Sequence, residues 1–504
     1  MGIAKRLPLN RSAVCRIWIP VFSMCEFPDI PDWQYRLPPV RSGAQSDDLP
    51  APEAGLGLPV ARILDEGGHF AGWLCGFAID LKTKRTISTS WTAPSGRLQD
   101  PDSFAWQVMK RLGGRFVWIM HWHGVRRIYS DCAASVPCVY DPKARLVGSS
   151  AAALFSSPDY EDRLDAKLFA ALEVDREGWF PAGMTAHHGL CRLLPGHYLN
   201  LDSWQAKRFW PRAVIEHTDC PDEALDALVD NVRAQIAALN AEPHRLAFAL
   251  TAGRETRMLL ACARPWVDQV DFVTVTGANR HRLDTVVASR IAQDFGLSYR
   301  SLARVEATDE QRSLFVHRTG HCHGDSNAAY HPSVWPIAQS HIMISGVGGE
   351  TARGFLWRAG DRADTLITAQ TICRRFGFAA HERLLAAVSA WLETLPVMNA
   401  QQILDQAFVE LRNGSWYGPQ FTADPTLQRQ APLLNYPALE LMLSLPDDWK
   451  RAGNLADRVI AKYWPELACY PFNSLGPVQD MLLKLRHALS DPRVVLRKIR
   501  KFRT

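Results

Sequence analysis

The sequence predicts an α/β protein with an N-terminal antiparallel β-layer, followed by a parallel-sheet domain whose C-terminal part is helical. Three observations predict this. From residue 245, short apolar runs alternate with amphipathic stretches at the spacing of βαβ units, which implies a parallel sheet covered on both faces. Residues 59–160 carry short strand-like runs broken by Gly, Pro and Asp turns. Beyond about residue 360 the pattern is mostly helical. At 504 residues the chain has room for two to four domains, and its 47% hydrophobic and 22% charged content supports at least two cores. A net charge of +5 is small for this length and points to no specific nucleic-acid partner.

Residues 1–58 read as a lead-in, loose over 28–58 where Pro, Gly, Ser and Asp are frequent. The mildly apolar run Ala13–Phe27 is interrupted by Arg16 and no small-residue cleavage pattern follows, so a secretory signal is not expected. Eleven scattered cysteines without a CxxC pair fit reduced thiols in the cytoplasm. In the β-layer, the strand candidates are Phe116–Met120 after Gly113-Gly114, the alternating Arg127–Asp131, and Arg145–Gly148 after the Tyr140-Asp-Pro turn. The turn at Leu194-Pro-Gly-His197 leads into another strand. Residues 221–240 place apolar side chains at helical spacing with acids in the first turn. Strands then follow at Arg245–Leu250, Val270–Val275, from Tyr299, and His341–Ser345, with helices over Glu255–Ala263 and Leu283–Phe295.

Two loops follow buried strands at their C-terminal ends, where open α/β sheets collect ligands. The first is Leu250-Thr-Ala-Gly-Arg-Glu-Thr-Arg257. Its small residues let backbone N–H groups approach a phosphate at a helix N-terminus, which places Leu250, Thr251, Ala252, Gly253 and Thr256 on a nucleotide. The second is Ser345-Gly-Val-Gly-Gly-Glu350, whose Gly346 and Gly348 allow the same close approach. Glu255 and Glu350, from neighbouring strand ends, can share one Mg²⁺ bridging the phosphates. Read singly, each loop is also an ordinary strand-to-helix turn with a helix N-terminal acid.

Together and in this order the loops resemble those of the asparagine synthetase-like family, which includes β-lactam synthetases and lasso-peptide cyclases. The family loop S-G-G-x-D-S corresponds to Thr251-Ala-Gly-Arg-Glu-Thr256, and G-x-G-G/S-D-E to Gly346-Val-Gly-Gly-Glu-Thr351. Leu194-Pro-Gly-His197, Lys207–Pro211, Gln430-Ala-Pro-Leu-Leu-Asn435 and Ser444-Leu-Pro446 resemble further family segments, so the likeness spans roughly residues 60–478. The resemblance implies a glutaminase-like domain at 59–212, an ATP-pyrophosphatase domain at 220–478 and a basic tail at 479–504. It implies ATP and Mg²⁺ as cofactors, adenylation of a substrate carboxylate and capture by an amine to form an amide. The strand segment Val273-Thr-Val275 is expected to flank the adenine through backbone groups, and Asp284, at the opening of the next helix, to meet the ribose or to cap the helix, the cap being favoured.

The chain departs from the family at three points. Position 2 is Gly2, so the cysteine that releases ammonia from glutamine is absent there, and the reaction implied is not glutamine-dependent. Val347 stands where the family places a proton-moving residue. The family's R-P-K-x-G is best matched by Phe472-Asn-Ser-Leu-Gly476, without the lysine, so that Arg254, Arg257 or Arg353 is the expected substitute cation near the phosphates. The alternative reading is a non-catalytic relative that binds a nucleotide or partner as a scaffold. His317, His321, His323 and His331 have zinc-ligand chemistry without a common zinc spacing; they fall where the resemblance implies a substrate-pocket segment and are expected to line that pocket, with an ordinary loop or core as the alternative. The substrate is a carboxylate, whether peptide, sugar acid or small amino acid derivative. The eight Lys and Arg among residues 480–504 suggest either a solvated helix or an acidic partner or membrane surface.

Overall fold

In a computed structural model, which describes residues 29–38, 49–96, 98–176, 178–277, 280–324 and 326–473, the chain is a mixed α/β protein with antiparallel and parallel sheets. The apolar run at 13–27 and the basic tail lie outside the described residues.

The N-terminal part holds two sheets. Its longest strands, Phe70–Asp80 and Leu112–Trp122, pair antiparallel at the centre of an eight-stranded sheet. Leu112–Trp122 is buried on both faces, which is why its sequence is almost continuously apolar. Val117 and Ile119 pack toward a second, five-stranded sheet, whereas Phe116, Trp118 and Met120 join a core that continues into the C-terminal helices. One hydrophobic cluster therefore crosses between the two parts of the chain. The lead-in is not uniformly loose. Tyr35–Arg36 and Glu53–Ala54 form strands of the five-stranded sheet, and Tyr35 is fully buried. Local composition understated this segment because its stability comes from pairing with Leu146–Gly148, far away in sequence.

The parallel sheet has five strands: β1 (Arg245–Ala249), β2 (Asp271–Val275), β3 (Tyr299–Leu302), β4 (His341–Ile344) and β5 (Arg429–Gln430). They lie in the order β3-β2-β1-β4-β5, every neighbour parallel. Phe248 stands opposite Phe272 on one side and Ile344 on the other. Leu246, Phe248, Phe272, Ile342 and Ile344 cover one face and pack on α1 (Pro221–Asn240), α2 (Arg254–Ala263) and α3 (Arg280–Phe295). Ala247, Val273, Leu302 and Met343 cover the other, against Val334, Ile337 and Leu427. At the N-terminal ends of the strands, Asp271 accepts hydrogen bonds from Ser298 (2.5 Å), His341 (2.7 Å) and Arg245 (3.2 Å). Against the opposing effect of burial, these donors hold its carboxyl down at about 2.

The helical region is tied together by a buried ion pair. Lys450 Nζ donates to Asp405 and to the Leu443 carbonyl, each at 2.8 Å, with both charged side chains within 3% of full burial.

Where the N-terminal part meets the helix Asp309–Arg318, imidazoles surround Tyr160. Its hydroxyl lies 2.7 Å from His321 Nδ1, and its ring centroid lies 4.3 Å from that of His187 and 4.4 Å from that of His317. Among the described residues no set of three or more His, Cys, Asp or Glu side chains could hold a metal ion. Burial, then the neighbouring His321 and His317, push the His187 imidazole down to about 3; burial, then His317, takes His321 to about 4. Unfolded, both titrate near 6.5. Below that value the unfolded chain binds more protons than the folded one, so stability falls as pH drops toward the folded values. Urea unfolding is expected to give about 2 kcal/mol less stability per histidine at pH 5 than at pH 7, and His187→Phe to remove about half of that loss. Equal stability at both pH values would contradict the neutral, buried assignment.

Candidate active site

The first loop leaves β1 at its C-terminal end. Leu250 is buried, with its N–H donating to the Val273 carbonyl (2.9 Å) and its own carbonyl accepting from Thr274 Oγ1 (2.5 Å). Thr251 Oγ1 accepts from the Gly253 N–H at 3.0 Å and lies 2.9 Å from Thr256 Oγ1. The two hydroxyls thus brace the turn from inside. Gly253 occupies the N-cap of α2 and no side chain caps the helix there. The first-turn amides, which have no intrahelical partner, are available to an anion.

Asp284 sits a turn inside α3 and not at its start, so it is not the helix cap. Its Oδ1 accepts the Ala252 N–H across the sheet edge at 2.9 Å. One loop amide expected to face a phosphate is therefore engaged by a carboxylate.

The second loop follows β4 and lies directly against the first. A Cβ at Gly346 would stand 2.9 Å from Glu255 Cβ, and one at Gly349 would stand 2.8 Å from Glu255 Cγ. Gly348 has a left-handed backbone (φ +97°), and a Cβ there would meet Leu434 at 2.5 Å. These glycines admit the Glu255 side chain between the loops. Glu255 pairs with Arg353 (Oε1 to Nε, 2.9 Å). Burial, followed by the charge of Glu255, raises the Glu350 carboxyl above its ordinary value, so the two acids sense one another. Ser345 Oγ and Thr351 Oγ1, which bracket the loop, are buried without hydrogen-bond partners. Their sequence signal was only their position beside a Gly-rich turn. Val347 is partly buried against the main core.

Of the three arginines, Arg353 reaches the acids and the other two do not. Arg257 is fully buried and donates to the carbonyls of Tyr470 (2.5 Å), Ala252 (2.6 Å) and Pro471 (2.9 Å), with its guanidinium 3.7 Å from the Phe472 ring centroid. Burial, then Arg254, lowers it to about 10, which leaves it charged at pH 7. It ties the C-terminal segment to the first loop, and is not placed as a phosphate cation. Arg254 pairs with Asp457 (3.4 Å) over the same ring. The Asn473 N–H also donates to the Ala252 carbonyl (2.9 Å). The C-terminal segment thus packs on the first loop through Asn473, and residues 474–476 lie outside the described part.

Two adjacent carboxylates, orphaned hydroxyls and an uncapped helix start are a donor set that suits a magnesium–triphosphate. Mg²⁺ typically takes one or two carboxylates and fills its shell from phosphates and water. Glu255 and Glu350 would hold the ion, and Ser345 and the α2 amides would meet phosphate oxygens. Gly346→Ala is expected to displace Glu255 and weaken ATP binding at least 10-fold by calorimetry, with little change in thermal unfolding. Unchanged affinity would mean that the contact between the loops does not matter to the nucleotide.

No protein-family model matches the chain, and no curated protein matches it. Among solved structures it is similar to the U34-tRNA thiolase NcsA from Methanococcus maripaludis with its [4Fe-4S] cluster. That match has 12% identity and a TM-score of 0.22, and covers 49% of this chain and 76% of the thiolase chain. A similarity at that level transfers neither fold nor activity.

Proposed function

We propose that the protein is an ATP- and Mg²⁺-dependent ligase of the asparagine synthetase-like kind, acting without glutamine. The observation that carries this reading is the packing of two Gly-rich loops at the C-terminal ends of adjacent parallel strands, with Glu255 held between them. A substrate carboxylate oxygen attacks the α-phosphorus, forming an acyl-adenylate and releasing pyrophosphate. An amine then attacks the acyl carbon, forming the amide and expelling AMP. When bound, the metal neutralises the charge that builds on pyrophosphate. Arg353, paired with Glu255 at the loop junction, supplies the nearest side-chain cation. Among the described residues no helix is long and apolar enough to cross a membrane.

Two contacts favour the second reading, a nucleotide-binding scaffold: Asp284 holds the Ala252 amide, and Arg353 holds Glu255. ATP–pyrophosphate exchange on the purified full chain, over a panel of carboxylates, separates the two. Exchange with any of them supports the ligase. ATP binding without exchange supports the scaffold, and neither binding nor exchange removes both.

A further inference from the structure

At the N-terminal ends of the parallel strands, the opposite ends from the Gly-rich loops, Ser340, His341 and Asp271 form one hydrogen-bonded row. Ser340 Oγ lies 2.7 Å from His341 Nδ1, and His341 Nε2 lies 2.7 Å from Asp271 Oδ2. Arg245 and His341 stand opposite one another in β1 and β4, and Asp271 opens β2, so alternation puts all three side chains on one sheet face. Ser340 precedes β4 in a turn closed by its own N–H on the Ile337 carbonyl (3.2 Å). His341 and Asp271 are buried, whereas Ser340 is exposed.

The placement of hydrogens follows. The Asp271 carboxyl, held down at about 2, is ionised at neutral pH and only accepts. Nε2 of His341 therefore carries a hydrogen, and in the neutral ring Nδ1 is left as an acceptor. The Ser340 hydroxyl can reach that nitrogen at 2.7 Å or the Ile337 carbonyl at 3.4 Å, and the nitrogen is the better partner. Ser298 and Arg245 donate to the same carboxylate and keep it from turning away from the imidazole. Arg245 spends Nε and Nη2 on Asp271, which leaves Nη1 of a half-exposed guanidinium outside that pair. Its backbone N–H donates to the Ser340 carbonyl (3.1 Å), so the cation and the hydroxyl belong to adjoining residues.

We propose that Ser340 is the nucleophile of a second, hydrolytic site for small carboxylic esters, with His341 as its base and Asp271 as the positioning residue. The roles are those of a Ser-His-Asp triad, with the two imidazole nitrogens exchanged relative to the common arrangement. Ser340 Oγ attacks the acyl carbon while its proton passes to His341 Nδ1. The tetrahedral intermediate collapses, and the departing alcohol takes that proton. Water then attacks the acyl-serine, gives a proton to Nδ1 and releases the acid, which restores Ser340. The Arg245 cation is the nearest charge for the developing oxyanion. An exposed nucleophile at the rim of the sheet favours a short acyl group and a good leaving group over a substrate that must be enclosed. The nucleotide loops lie about 16 Å away along β1, so this site does not rest on the ligase reading.

Labelling of the full chain with a fluorophosphonate probe, read by peptide mass mapping and without ATP, tests this. Ser340 is expected to be labelled about 100-fold faster than the exposed Ser203, the gain a positioned base confers. Ser340→Ala, an exposed change, should abolish that label and lower the hydrolysis of p-nitrophenyl acetate. Ser340→Cys should react with iodoacetamide about 10-fold faster than the exposed Cys220 and Cys469 of the same chain. Asp271→Asn keeps the shape but removes the charge that stabilises imidazolium, so the acid limb of the labelling rate should move to lower pH as the plateau falls. A residue that only props the strand ends would leave that limb in place. Labelling of Ser340 no faster than Ser203 in the wild-type chain would overturn the proposal. So would a thiol in Ser340→Cys no more reactive than Cys220. Neither readout contains nucleotide, so loss of ATP–pyrophosphate exchange would leave the proposal standing.

Discussion

Glu255→Gln is expected to lower ATP–pyrophosphate exchange by about 10²–10³-fold, the usual loss when one charge-stabilising group is removed from a phosphoryl-transfer site. The amide keeps the shape that Gly346 and Gly349 accommodate, so the loops should remain packed and thermal unfolding should change little. What disappears is the charge shared with Arg353 and sensed by Glu350. Without it the Glu350 carboxyl loses one of the causes of its upward shift, and Arg353 loses its partner. The first change favours the ionised Glu350, but the loss of one ligand charge and the unpaired Arg353 cation both act against a divalent cation at the loop junction. Exchange within 3-fold of wild type would show that Glu255 holds no metal and that the loop junction does not carry the ligase chemistry.

Lys450→Met is expected to cost about 3–5 kcal/mol of stability, measured by urea unfolding, because it leaves the Asp405 carboxylate buried without its cation. The Leu443 carbonyl also loses a donor. Replacing both partners, Lys450→Met with Asp405→Leu, should recover most of the loss, since an apolar pair of similar volume avoids the desolvation penalty. If the single change costs less than 1 kcal/mol, water reaches the pair and it is not the tie of the helical region described above.

The strand–helix alternation from 245 to 344 was legible because each segment carries its own periodicity. The boundaries Arg245–Leu250, Glu255–Ala263 and His341–Ser345 differ from the observed elements by one residue at one end. Helix 221–240 coincides with its expected range. The start of α3 was expected three residues late, which misplaced Asp284 at a cap. The lead-in strands were missed because Pro- and Gly-rich flanks hide two-residue pairings that only a distant partner stabilises. His331 was singled out from sequence and does line a cavity, but Arg304, Tyr330 and Arg429 carried no local signal.

The sequence by itself determined the class of architecture and the two loops, because apolar period and small-residue turns are properties of neighbouring residues. Tertiary structure decided the use of each charge. Arg257, read as a cation for phosphate, lies against carbonyls 213 and 214 residues away. Asp284 meets an amide 32 residues away, and Arg353 alone of the three arginines reaches Glu255. A guanidinium or carboxylate acts through whatever lies within about 3 Å of it, and that neighbour is chosen by chain crossing and not by local pattern.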